Sequence, residues 1–181
     1  MIESVLFKGL DIVGPDGIRT GDVLVQDGYI VSIEPVINAV AEQVVSDSGL
    51  TLFPGVIDPH VHFREPGAEH KESLYSGSKA AAAGGVTTYF DMPNTTPATI
   101  TLEALAKKKQ VAAKTSLVNY NFFVGATADN SEVLQQAENI AGIKIYVGSS
   151  TGSLLVDDDK SLEEIFSQTN HIIAVHSEDE A

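Results

Sequence analysis

Two histidines separated by a single residue are the first groups in this chain that could do chemistry. They lie in Asp58-Pro59-His60-Val61-His62-Phe63-Arg64-Glu65-Pro66-Gly67. In a β-strand, side chains two residues apart share a face. His60 and His62 therefore project together, and two imidazoles so placed can hold one metal ion. A half-buried strand that happens to alternate two histidines has the same spacing. The position directly after Pro54-Gly55-Val56-Ile57 favours the metal, because barrel enzymes put their chemistry at the C-terminal ends of strands. The sequence has no cysteine. Disulfides, thiolate nucleophiles and Cys-bound zinc are thereby excluded, and a metal must rely on His, carboxylate or a rarer ligand.

One rarer ligand is available. Lys144 sits among the apolar residues of Gly142-Ile143-Lys144-Ile145-Tyr146-Val147. A bare ammonium in a core strand is costly. It needs an acidic partner or a path for its head to solvent, or it must lose its charge. A neutral amine can take up carbon dioxide as a carbamate, an anionic oxygen donor able to bridge two metals. His176 ends the last strand-like run, and with His60, His62 and Lys144 it would add a third imidazole to one pocket. Arg64 lies two residues beyond His62 and should face the same mouth, where a guanidinium suits a substrate carboxylate. Asn94, in Asp91-Met92-Pro93-Asn94-Thr95-Thr96-Pro97, can offer an amide donor to the same anion. A surface salt bridge for Arg64 and a turn role for Asn94 are the plainer readings.

The elements that must position these groups change character near residue 51. Residues 1–51 read as a small β unit. Gly14-Pro15-Asp16-Gly17 marks a turn, and Asp27-Gly28 between Asp22–Gln26 and Tyr29–Ile33 marks a hairpin. Residues 52–181 alternate between extended and helical patterns. Extended runs are expected over 52–62, 86–91, 117–125, 143–147 and 171–176. Helices are expected over 71–83, 102–114 (capped by Thr101), 131–141 and 161–168. Five strands alternating with helices predict an α/β fold with a parallel sheet. No G-x-G-x-x-G follows a strand, which weakens a nucleotide-binding version. A complete (β/α)₈ barrel takes roughly 250 residues. Only about 130 follow the β unit, so the expectation is a truncated barrel. Val56, Ile143, Ile145, Ile172 and Val175 are expected to line its inner face.

Composition narrows the partners. The 181 residues are 43% hydrophobic, enough for a core, and carry a formal net charge of −14. Such a charge repels phosphate backbones, so no nucleic-acid partner is expected. Apolar runs fall far short of a membrane span. No basic stretch precedes a long apolar one near Met1. No membrane partner is therefore expected, and the cytoplasm is the expected location.

Taken together, the Asp58 to Gly67 segment, the Met92-Pro93-Asn94-Thr95 turn, Lys144 and the Val175-His176-Ser177-Glu178-Asp179 ending resemble the dihydroorotase family of amidohydrolases. The likeness runs over essentially the whole chain. It implies a metal-dependent-hydrolase (β/α)₈ TIM-type barrel, here its first five strands, with a small N-terminal β-sandwich segment. It implies zinc, two ions per complete site: His60 and His62 on one, His176 on the other, carboxylated Lys144 bridging. It implies Arg64 and Asn94 on the substrate carboxylate, and interconversion of dihydroorotate and N-carbamoyl-aspartate in pyrimidine biosynthesis. Some members bridge with an aspartate, but Ser149 to Gly152 follow the lysine strand here, which favours the lysine version. The family's catalytic aspartate, a general base on an eighth strand, is expected beyond Ala181, so no catalytic residue is expected within the chain and the chain alone is expected to be inactive. A homo-oligomer or a missing C-terminal half is implied as partner. A hydantoinase-like or allantoinase-like cyclic amidase, and a non-catalytic fragment, remain alternatives.

Overall fold

The computed structural model describes residues 3–47, 49–148 and 154–178. Ser149 to Gly152 and Asp179 lie outside the described residues. The chain divides into two compact units, Met1–Pro54 and Gly55–Ala181.

In the first unit, β1 (Ser4–Gly14), β2 (Gly17–Gln26) and β3 (Tyr29–Glu34) form an antiparallel meander. Asp27 and Gly28 both take left-handed φ, 50° and 82°, as a two-residue hairpin turn requires. Two short strands escaped the sequence reading: β4 (Gln43–Val45) and β5 (Thr51–Leu52), both parallel to β1. Three and two residues are too few to show a period. Leu6, Leu24 and Ile37 form the unit's core. Beside them the buried Asp22 accepts from the backbone N–H of Gly9 and of Ile37.

The second unit is a run of βα repeats: β6 (Val56–Val61), α1 (Leu74–Ala83), β7 (Val86–Asp91), α2 (Leu102–Thr115), β8 (Asn119–Gly125), α3 (Ser131–Gln136), β9 (Gly142–Val147), α4 (Asp159–Gln168) and β10 (Ile173–Ser177). The five strands pair in chain order and all in parallel, the arrangement expected of successive barrel strands. Among the described residues no helix is long and apolar enough to cross a membrane.

Caps set the helix boundaries. α1 starts at Leu74, three residues later than the sequence pattern suggests, because Ser73 and Ser76 form a reciprocal capping box and Glu65 Oε2 accepts the Leu74 N–H at 2.8 Å. α2 begins as expected, with Thr101 Oγ1 accepting the Ala104 N–H at 3.1 Å. α3 is only six residues long, not the eleven expected. Its continuation is broken by extended Ala137 and by Asn139 at φ 53°.

The core of this unit joins sheet and helices, with Tyr89, Phe122 and Val124 against Leu105, Leu134 and Ile165. Ile143 and Ile145 belong to that layer, which corrects their expected place on the inner face. The two-residue pleat that turns Lys144 one way turns its isoleucine neighbours the other. Val56, Ile172 and Val175 are exposed.

Gly77 on α1 faces the Phe63 ring, and a methyl group there would overlap it. That ring is already fixed against Tyr89, with centroids 4.7 Å apart. Gly77→Ala is therefore expected to destabilise the protein by about 1–3 kcal/mol through overpacking, despite alanine's better helix propensity. Urea unfolding measures this, and a midpoint equal to or above that of the native sequence would contradict it.

Candidate metal centre

The end of β6 carries the two histidines, and the backbone there is not a regular strand. Asp58 pairs with Tyr89 and Val61 with Asp91, so β6 spends three residues where β7 spends two. Pro59 has no N–H to give to the ladder. The Asp58 carboxylate takes the His60 N–H instead, at 3.1 Å. His62 lies one residue past the strand. The two rings nevertheless meet, with His60 Nε2 and His62 Nε2 3.2 Å apart. Two nitrogens bound tetrahedrally to one zinc at 2.0–2.1 Å would be about 3.3 Å apart.

A second contact fixes which nitrogen of His62 is free. His62 Nδ1 lies 2.7 Å from Asn94 Oδ1. An amide oxygen only accepts, so Nδ1 carries the proton and Nε2 keeps its lone pair. Holding the outer nitrogen this way is what supports a metal-binding imidazole. Asn94 thus acts on His62 in this structure, and its Nδ2 remains as a donor. Burial lowers the pKa of both imidazoles, helped at His60 by the charges of Lys144 and His62. Both are neutral at pH 7, the form that ligates.

Lys144 is 3% exposed. Among the described residues its ammonium has no hydrogen bond or ion pair, and it lies 5.2 Å from the centre of the Tyr146 ring. Desolvation alone lowers its pKa. Tyr146 has a buried hydroxyl without a partner, and burial pushes its pKa up to about 12. On β10, Ala174 pairs with Lys144 and His176 with Tyr146. The His176 ring is 5.9 Å from that of Tyr146, and its Nε2 is 3.3 Å from Glu178 Oε1. Arg64 is half-buried, with no carboxylate partner among the described residues; its charge helps lower the pKa of His62 and of Tyr146.

The structure therefore brings His60, His62 and Asn94 into direct contact. Lys144 and His176 stand on neighbouring strands close enough for their charges to act on His60. Among the described residues no three His, Asp or Glu side chains converge. The donor chemistry fits a metal all the same: two neutral imidazoles at tetrahedral spacing, and a buried amine poised to lose its charge.

Two residues at this site were missed by the sequence reading. Asp91 and Lys108 have fully buried side chains, with Lys108 Nζ 2.6 Å from Asp91 Oδ2, a charge contact lying outside hydrogen-bond angles. Burial raises Asp91 to about 6, against the pull of Lys108, which leaves the carboxylate ionised at neutral pH. Lys108 hides in Lys107-Lys108-Lys109, which reads as a solvated run. Its signal was helical spacing: it follows Leu105 by three residues and precedes Ala112 by four, and all three are buried.

The chain is similar to known proteins in sequence and in fold. Residues 49–165 match the family model described as dihydro-orotase-like. An allantoinase of Bacillus velezensis is 38% identical over 189 residues, covering all of this chain and 41% of that protein. A dihydroorotase of Elusimicrobium minutum is 33% identical over 183 residues, covering 96% of this chain and 41% of the other. The solved L-hydantoinase of Arthrobacter aurescens superposes with a TM-score of 0.89 at 30% identity, over 97% of this chain and 41% of that one. The five parallel strands are thus a part of a TIM-type amidohydrolase barrel. The chain spans about two fifths of the length of these relatives. By the matched region and the fold together, the chain belongs to the dihydroorotase-like family of cyclic amidohydrolases.

Proposed function

We propose that the whole protein opens and closes a cyclic amide at a two-zinc centre, and that its substrate pair is dihydroorotate and N-carbamoyl-aspartate. The observation that carries the metal centre is the 3.2 Å approach of His60 Nε2 to His62 Nε2, with His62 oriented by Asn94. In this reading His60 and His62 hold one zinc, His176 the other, and carboxylated Lys144 lies between them. When bound, zinc acidifies water and polarises an amide carbonyl. The chain's own residues orient the ligands and bind substrate. Arg64 neutralises the ring carboxylate, and Asn94 Nδ2 can donate to the same anion. The family's aspartate base belongs to an eighth barrel strand, while β6 to β10 account for five, so the 181 residues by themselves are not expected to turn over. Dihydroorotate as substrate would place the protein in pyrimidine biosynthesis, in the cytoplasm.

The B. velezensis allantoinase likeness supports a second reading, a ring substrate without a carboxylate. Arg64 separates the two. In the whole protein, Arg64→Met is expected to cost about 2–4 kcal/mol in kcat/KM on dihydroorotate, because it unpairs a desolvated anion. Equal losses on dihydroorotate and on hydantoin would make Arg64 structural. Turnover of allantoin or hydantoin with none of dihydroorotate would favour the second reading.

A further inference from the structure

The Lys108–Asp91 pair is buried where no solvent reaches it, on the core side of the proposed centre. Besides the contact that joins the pair, each side chain makes one hydrogen bond to a residue beside the His62–Asn94 contact. Asp91 Oδ1 accepts the backbone N–H of Phe63 at 2.7 Å, and Phe63 follows His62. Lys108 Nζ donates to the carbonyl of Met92 at 2.9 Å, and Met92 lies two residues before Asn94. The Met92 N–H in turn donates to the Val61 carbonyl at 2.9 Å, on the other side of His62. One ammonium from α2 thus closes a ring that runs through the ends of β6 and β7 and back across His62 Nδ1 and Asn94 Oδ1. From β8, the Phe122 ring lies against the pair, its centre 5.0 Å from Lys108 Nζ.

A buried ion pair is weak evidence for stability, since apolar residues of equal volume often do as well. Its better-attested use is to fix one arrangement among several. Here the ladder between β6 and β7 is irregular just before His62, so backbone pairing alone does not fix the height of the His62 ring against the Asn94 loop. We propose that Lys108 and Asp91 are positioning residues for the metal centre: they lock the end of β6 to the end of β7 so that Asn94 meets His62 Nδ1 and presents Nε2 outward. This rests on the metal-centre reading above, but its first readout does not need metal.

The test uses the whole protein and the double variant Asp91→Asn/Lys108→Met, which removes both charges together and so leaves no lone buried ion. In metal-free protein, nitrogen-15 spectra of the imidazoles report the His62 tautomer. The native protein is expected to show a slowly exchanging Nδ1–H. The folded double variant is expected to lose it, to bind zinc about 10–100-fold more weakly, and to lose kcat with little change in KM. Wild-type Nδ1–H signal and zinc affinity in the folded double variant would overturn the proposal. If the double variant does not fold, Asp91→Asn alone decides, because it keeps the Oδ1 acceptor and the volume but weakens the hold of Lys108. A wild-type His62 signal and zinc affinity in that variant would assign the pair to stability only. A native protein that shows the Nδ1–H but binds no zinc would sink the metal-centre reading and leave the positioning role standing.

Discussion

Replacing His60 and His62 together with alanine is expected to reduce the zinc content of the whole protein from about two ions per chain to one or fewer. It is expected to lower turnover by about three to five orders of magnitude, since metal catalysis supplies several kcal/mol and each 1.36 kcal/mol is tenfold. The two Nε2 atoms meet at 3.2 Å. At that distance one ring's Nε2–H can donate to the other's lone pair, and a shared cation would stand where that proton does. The same geometry sets a pH limit. Protons compete with metal for imidazole nitrogen, and both folded-state pKa values are lowered, first by burial. A lowered pKa keeps the ring neutral further into acid. Zinc should therefore be retained as pH falls through about 6.5, the ordinary histidine value, and be released only below it. Elemental analysis after dialysis across that range checks both statements. Full metal retention in the double variant would refute the assignment of the two histidines.

Lys144→Ala should be nearly as damaging, for a different reason. The amine is buried and without a polar partner among the described residues, and desolvation lowers its pKa. At neutral pH its uncharged fraction therefore exceeds that of a surface lysine. Only the uncharged amine adds to carbon dioxide; the nitrogen lone pair attacks carbon and one proton leaves, so the product is a carbamate anion. In the whole protein, Lys144→Ala is expected to lose the paired arrangement of metals and about three orders of magnitude in turnover. Added acetate or propionate should restore part of it by filling the space with a carboxylate. Intact-mass measurement on active, metal-loaded protein gives the direct answer. An unmodified lysine there would refute the carbamate.

What could be read from the sequence divides along physical lines. The βα order, the hairpin at Asp27-Gly28 and the Thr101 cap follow from local rules that act within a few residues, and each is present in the structure. The six candidate site residues stand out by residue type and spacing. What escaped depends on contacts between distant segments. β4 and β5 exist only because β1 offers them an edge. Lys108 is buried because Asp91, 17 positions earlier in the sequence, waits for it. Asn94 reads as a substrate donor, and no local pattern says that its oxygen reaches a ring 32 residues away. Ile143 and Ile145 were misplaced for a simpler reason: the pleat that sends Lys144 toward His60 forbids its neighbours the same direction.

The irregular ladder between β6 and β7 has an exact counterpart a few residues earlier. Val56 pairs with Val86 but Ile57 with Thr88, so β7 holds an extra residue there, and β6 holds one between Asp58 and Val61. The two offsets are opposite in sign, and from Val56↔Val86 to Val61↔Asp91 each strand advances by the same five residues. They form a dislocation pair that encloses Ile57 and Asp58 and cancels outside them. Sequence change inside that short window can therefore alter how the imidazoles are aimed while the pairing on either side keeps its count. Deleting one residue there would break the cancellation, and every β6 residue on one side of the cut would turn to the opposite face of the sheet.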